Sequence, residues 1–372
     1  MKITILSTAY PLRGGIAHFI GLLFKELIRE NEVKVITFKR QYPAILFPGK
    51  SQLESNDIIE KIPTEPLVDS INPINWIRIG RKIKKDSPDL LILKYWLPFF
   101  APCFGTISRI VKRNKKTKVL TICDNVLPHE KRPGDKALTK YFFKSVDYFI
   151  LLSVKVKDDL LSIKSDAKFK ILPHPIYSNF GELVPKDEAK RKLNLTDNNL
   201  ILFFGFIRDY KGLDVLLRSM AELDDIKLIV AGEFYSDKKI YLNLIDQLKI
   251  KNKVYLFTDF IPTSDVKYYF SASDAVILPY KDATQSGIVQ IAMNFRKPVI
   301  ATNVGGLNEV IFNYQTGYIV EKENPKALAE AIKRFYEEKK ENDFIKNIES
   351  EVGKYSWKKF TEGIKDIIKD GD

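Results

Sequence analysis

Residues 200–214, LILFFGFIRDYKGLD, decide the fold. Leu200 to Phe204 run apolar without a break. A strand wetted on one face would alternate polar and apolar, whereas a continuous run needs cover on both faces, as parallel strands beneath helices have. Gly205 ends the run, and Gly212 opens an amphipathic stretch expected as a helix over 212–221. The same unit then recurs. Downstream, strands are expected at 226–231, 254–257, 275–278, 299–301 and 318–320, with helices at 240–248, 263–271, 287–295 and 325–338. Upstream, strands are expected at 3–7, 33–37, 90–93, 119–122, 148–152 and 169–172, with helices at 17–29, 76–85 and 155–163. Strands alternating with helices point to an α/β chain of doubly wound parallel sheets.

The pattern restarts near residue 199, after Leu172-Pro173-His174-Pro175 and a polar segment. Prolines disfavour helix and cannot donate to a ladder, so they mark a connector. A chain of 372 residues suits two domains. The expected division is 1–175 and 176–355, each Rossmann-like. Sheets of this kind gather their ligand loops at the carboxyl ends of the strands. Two such edges facing each other would form a cleft, a common place for a ligand.

Composition narrows the function classes. Cys103 and Cys123 alone, in so long a chain, make no disulfide framework, and a reducing cytoplasm fits best. The opening MKITILSTAY is expected as a first strand rather than a signal peptide. No uncharged apolar run reaches the ~18 residues of a membrane span. Sixty Lys and Arg against 47 Asp and Glu give a net charge of +13, spread along the chain. Such charge suits anionic partners but does not choose among them. Nucleic acid is not expected, because no recognition motif accompanies the charge. The run YWLPFFAPCFG at 95–105 precedes Arg109, Lys112, Arg113, Lys115, Lys116 and Lys118. Two readings stay open for 95–118: peripheral contact with the inner face of a membrane, or a buried loop followed by a solvated helix. No histidine, cysteine and carboxylate cluster has metal-ligand spacing, so no metal is expected.

Strand-to-helix loops carry the candidate chemistry. Gly14 and Gly15 follow the first strand, where paired glycines and a helix N-terminus suit phosphate as well as a plain tight turn. They do not form the G-x-G-x-x-G dinucleotide fingerprint. Arg208 and Lys211 lie at the entry to a helix and suit a diphosphate whose charge grows as it leaves. Thr284, Gln285, Ser286, Gly287 and Gln290 open another helix with small and hydroxylic residues that expose backbone amides. Lys297–Val310 reads as a strand, a Gly305-Gly306 turn and a helix. In the first half, Asp124 follows a strand and His129 lies five residues on. Either is a candidate to move a proton, or else to cap and pack.

From Phe203 to Val320 these motifs resemble the retaining glycosyltransferases of family 4, which have the GT-B fold. The match lies in Arg208 with Lys211-Gly212, in Pro298–Thr302 and in Gly305-Gly306-Leu307-Asn308-Glu309. The family's E-x7-E motif is missing, since Ala283 and Ile291 fall where its glutamates would stand, and Thr284-Gln285-Ser286-Gly287 occupies that loop. In the family those glutamates contact the donor sugar and the nucleotide ribose, roles that fall here to Gln285 and Gln290. The resemblance implies transfer of a sugar from a nucleoside-diphosphate sugar, with retention and with no cofactor beyond that donor substrate. It assigns catalysis to Arg208, Lys211, Asp124 and His129, and binding to Gly14, Gly15, Gln285, Ser286, Gly287 and Gln290. It places the acceptor in the first domain and packs a closing helix, 356–372, back on that domain. The basic aromatic run suggests a polysaccharide or lipid-linked acceptor. The rival readings are a sugar-nucleotide epimerase of the same fold and a basic nucleic-acid- or membrane-binding protein without activity.

Overall fold

A computed structural model of the chain describes residues 1–43, 51–53, 61–128 and 132–370. They form two compact units. The first gathers the described residues of Met1–Glu54, Glu60–Pro175 and Tyr355–Asp372, and the second is Ile176–Lys354.

The first unit holds seven strands: β1 (Lys2–Leu6), β2 (Glu32–Arg40), β3 (Glu65–Asp69), β4 (Leu90–Tyr95), β5 (Lys118–Cys123), β6 (Tyr148–Leu151) and β7 (Phe169–Ile171). They lie in the order β3-β2-β1-β4-β5-β6-β7. Every pairing is parallel, and Ile3 stands between Val33 and Leu90. Strand order reverses at β1. Right-handed crossovers then put α1 (Gly15–Leu27) on one face, and α2 (Pro73–Asp86), α3 (Ala101–Lys112), α4 (Asp135–Phe143) and α5 (Val154–Ile163) on the other. Cover on both faces accounts for the unbroken apolar strands: all of β4 is buried, Lys94 included.

The second unit contains β8 (Leu200–Phe204), β9 (Lys227–Ala231), β10 (Val254–Phe257), β11 (Ala275–Leu278), β12 (Val299–Thr302) and β13 (Gly317–Val320). Its order is β10-β9-β8-β11-β12-β13, again parallel throughout. Its helices are α6 (Lys186–Lys192), α7 (Leu213–Met220), α8 (Lys238–Gln247), α9 (Val266–Ala272), α10 (Gly287–Asn294), α11 (Pro325–Glu337) and α12 (Glu341–Val352).

The last helix, α13 (Trp357–Lys369), belongs to the first unit and packs on α1, β6 and β7. Its stripe of Phe360, Ile364, Ile367 and Ile368 is buried. Trp357 and Phe360 meet the Phe19 ring edge to face, with centroids 4.9 and 5.7 Å away. A Cβ on Gly363 would lie 2.6 Å from Leu172, so glycine is what lets this helix approach β7.

The structure departs from expectation in several places, α4, α6 and α12 being helices beyond those expected. β3 was not expected: it is a short edge strand with a proline at Pro66 and two register shifts against β2, so it carries no apolar run. α3 opens with Pro102, which the first helical turn tolerates because its amide is unpaired there anyway. The turn Gly305-Gly306 leads into the three-residue 3-10 turn Leu307–Glu309, not into a longer helix. The aromatic run at 95–105 is core: Tyr95, Phe100 and Phe104 are fully buried. Trp96 and Phe99 pack on Phe100 at 4.4 and 4.9 Å. Lys112 and Lys116 downstream are paired with Asp147 and Asp89, at 2.5 and 2.9 Å. Tyr95, Phe100 and Phe104 are thus inside the protein, with Trp96 and Phe99 half-buried against them.

Candidate functional site

In the second unit strand order reverses between β8 and β11, and the loops beyond their carboxyl ends part there. Glycines bring those loops together. Gly212 has φ +68°, and a Cβ there would lie 1.9 Å from the Pro279 carbonyl oxygen. The loop after β8 thus rests against the loop after β11, where the Lys281 amide also donates to the Tyr210 carbonyl at 2.7 Å. Gly305 has φ +54°, and a Cβ there would lie 1.8 Å from the Ala283 carbonyl oxygen. The Gly306 amide donates to the Thr284 carbonyl at 3.0 Å. The Gly-Gly turn after β12 is in this way a brace for residues 283–287.

Arg208 and Lys211 stand in this setting. The Lys211 ammonium is 3.1 Å from where a Cβ on Gly205 would sit, and Ile288 of α10 is 3.3 Å from the same point. The structure therefore brings Lys211 beside the start of α10. Lys211 lies 5.8 Å over the Tyr280 ring, and the Arg208 guanidinium 5.2 Å over the Tyr235 ring. Neither cation makes an ion pair among the described residues. Burial, and then the charge of Arg208, lower the Lys211 pKa to about 8. Two adjacent cations, neither ion-paired among the described residues, hold an unmet demand for negative charge.

The start of α10 meets a different need. Ser286 caps the helix by accepting from the Ile288 amide at 3.2 Å. Gly287 approaches Tyr177, which a Cβ would meet at 3.1 Å. The amide oxygens Oε1 of Gln285 and of Gln290 are buried and accept no hydrogen bond. Such an atom normally has a partner, and two so close in sequence mark a place where a donor is missing.

The first unit holds the other expected residues. Gly14 has φ +106° as the residue before α1, with open space where a Cβ would project. Asp124 follows β5 and is buried, paired with Lys94 at 2.7 Å. Lys94 had drawn no notice in the sequence, yet it lies wholly inside, 3.5 Å over the Phe19 ring. Burial pulls its pKa down, and the Asp124 carboxylate opposes that. A lysine within the apolar run LLILKY was the available signal. His174 packs edge-on against Phe19, its Nδ1 is 2.7 Å from the Pro175 carbonyl oxygen, and burial lowers its pKa to about 3. His18 is half-buried on α1, with its pKa lowered to about 4 by burial. His129 lies outside the described residues.

Residues 185–351 match the family described as "Glycosyl transferases group 1". The uncharacterized glycosyltransferase MJ1178 of Methanocaldococcus jannaschii is 26% identical across 100% of this chain and 98% of its own. Among solved structures, the sucrose-phosphate synthase of Thermosynechococcus elongatus superposes with a TM-score of 0.77 at 17% identity, covering 100% of this chain and 99% of its own. Anabaena Alr3699/HepE, in complex with UDP, does so with a TM-score of 0.78 at 15% identity, covering 100% of both chains. At these identities the two structures speak for the fold alone.

Proposed function

We propose that this chain, a GT-B glycosyltransferase whose residues 185–351 are a glycosyl transferases group 1 domain, moves a sugar from a nucleoside-diphosphate sugar to an acceptor hydroxyl, with retention at the anomeric carbon. The observation that carries the reading is the two cations Arg208 and Lys211, without an ion pair among the described residues, with Lys211 beside the start of α10, where Gln285 and Gln290 hold orphaned amide oxygens. The cations take the diphosphate and stabilise the charge that gathers on it as the glycosidic bond breaks. The backbone amides of Ser286 and Gly287, at the start of α10, add donors for phosphate oxygens. Gln290 accepts a ribose hydroxyl and Gln285 a hydroxyl of the donor sugar. These neutral amides stand where the related family places glutamates, and they hold the same hydroxyls without charge.

The first unit takes the acceptor, with Asp124 or His129 as the group that orients a sugar or accepts the proton. A polysaccharide or lipid-linked acceptor in envelope assembly fits the chain's positive charge. The HepE neighbour, solved with UDP and with UDP-glucose, makes a uridine nucleotide the first donor to try.

The test is thermal denaturation against UDP-, GDP- and ADP-sugars, since a ligand that binds only the folded chain raises its midpoint. One donor family is expected to stabilise the native chain and not Lys211→Ala. Lys211→Ala is also expected to lose transfer by ~100-fold or more, the scale of a lost charge-stabilising donor. Equal turnover in that variant would remove the assignment. Donor consumption with no acceptor present would favour the epimerase reading instead.

A further inference from the structure

Five of the exposed large apolar side chains of the first unit lie on one layer of helices. Ile71, Ile74 and Ile77 lie on or just before α2, and Leu138 and Tyr141 on α4. Ile74 is 80% exposed, the most of any large apolar side chain among the described residues. α3 lies between α2 and α4, and small residues hold the three close. A Cβ on Gly80 would meet Ile110 at 2.9 Å, and one on Gly105 would meet the Tyr141 ring at 2.6 Å. The result is one continuous helical surface.

The same surface is cationic. Positions 74, 78, 81 and 85 fall on one side of a helix, and Ile74, Arg78, Arg81 and Lys85 are all exposed there, with Ile77 beside them. None of these three cations makes an ion pair among the described residues. The only acid on α2, Asp86, is engaged with Lys34 at 3.4 Å. α4 adds exposed Lys136, Lys140 and Lys144.

Protruding isoleucines ringed by unpaired cations fit a partner that is negative at its surface and apolar just beneath. Nucleic acid would engage the cations and leave the isoleucines in water. Anionic lipid headgroups above acyl chains satisfy both. We propose that α2 and α4 form the face by which the chain docks on an anionic lipid bilayer, with Ile74 and Ile77 entering the acyl boundary and Arg78, Arg81 and Lys85 meeting lipid phosphates. This face is separate from the buried aromatic run at 95–105, and the proposal goes beyond the donor reading and does not depend on it.

Sedimentation of the full chain with phosphatidylcholine vesicles, with and without phosphatidylglycerol, tests it. Binding is expected only with the anionic lipid and is expected to weaken with salt. Arg78→Gln/Arg81→Gln is expected to lose affinity by about fivefold for each cation removed. Ile74→Ser/Ile77→Ser is expected to lose it as well, while Ile240→Ser, an exposed isoleucine of the second unit, is expected to bind as the native chain does. Ile74 is a surface residue, so its variants should keep the native melting midpoint. In Ile74→Trp the new indole emission should shift to the blue on anionic vesicles. Equal sedimentation with both vesicle types overturns the proposal. So does undiminished binding by Ile74→Ser/Ile77→Ser, or a Trp emission that vesicles leave unchanged.

Discussion

Lys211 should announce itself in the pH dependence of nucleotide binding. A free lysine titrates near 10.4, and burial beside Arg208 brings this one to about 8. Its protonated form is the one that holds a diphosphate. Affinity for the nucleoside diphosphate that gives the largest thermal shift is therefore expected to fall above pH 8, by up to ~tenfold per unit, in calorimetric titrations. Lys211→Arg, charged throughout, should lack that inflection. Ligand-free stability should move the other way. The folded pKa lies below the unfolded one, so the unfolded chain binds more protons between the two values and folding gains as pH rises through that window. Lys94 calls for a different test. Its ion pair with Asp124 is buried, so Lys94→Met strands a carboxylate and should cost ~3–5 kcal/mol in urea unfolding, most of it recovered by adding Asp124→Asn. At this scale the sequence was legible where a polar residue follows an apolar strand, as Arg208 and Asp124 do. Lys94 was not, because its partner is 30 residues away and only the parallel register of β4 with β5, Lys94 beside Ile122, brings the two together.

Strands buried on both faces announced themselves as unbroken apolar runs, and Ala275–Leu278 lies where it was expected. The edge strand β3, with a proline and two register shifts, and α3, with Pro102 in its first turn, did not. The loops were legible as glycine-rich but not as a mutual brace, since a close approach between loops after different strands leaves no local trace. Gly305→Ala tests that brace. An alanine there takes on a left-handed backbone, at about 1–2 kcal/mol, and drives its Cβ into the Ala283 carbonyl. The turn must move, so nucleotide affinity should fall together with the melting midpoint. Gln290→Leu at α10 should separate the two. A buried amide oxygen without a partner costs about 1–3 kcal/mol, so the leucine chain should melt no lower than the native one, and higher if it packs well, while nucleotide affinity drops about tenfold or more. A lower midpoint with unchanged affinity would make Gln290 a structural residue.

Among the described residues the chain enters its second unit once, after Pro175, and leaves it once, at Tyr355, so that unit is there a single stretch while the first is closed by a helix from the far end of the sequence. The prolines at 173 and 175 and the restart near 199 made the boundary readable. The order of strands within each sheet was not, because it depends on which way each crossover turns. This arrangement has a consequence for stability. Ending the chain at Tyr355 removes Phe360, Ile364, Ile367 and Ile368, all buried in the first unit, and bares the Phe19 face of α1. Four such side chains at ~2 kcal/mol each amount to about 8 kcal/mol, comparable with the whole stability of a domain. The first unit should then be unfolded or close to it. The residues proposed to hold the diphosphate and the ribose, Arg208, Lys211 and Gln285–Gln290, all lie in the stretch left whole. Calorimetry of the truncated chain should show one remaining transition, still raised by the nucleoside diphosphate. Should the truncation abolish the ligand-dependent shift while that transition survives, the nucleotide is held by more than the second unit, and the assignment of binding to the β8–β11 switch point is wrong.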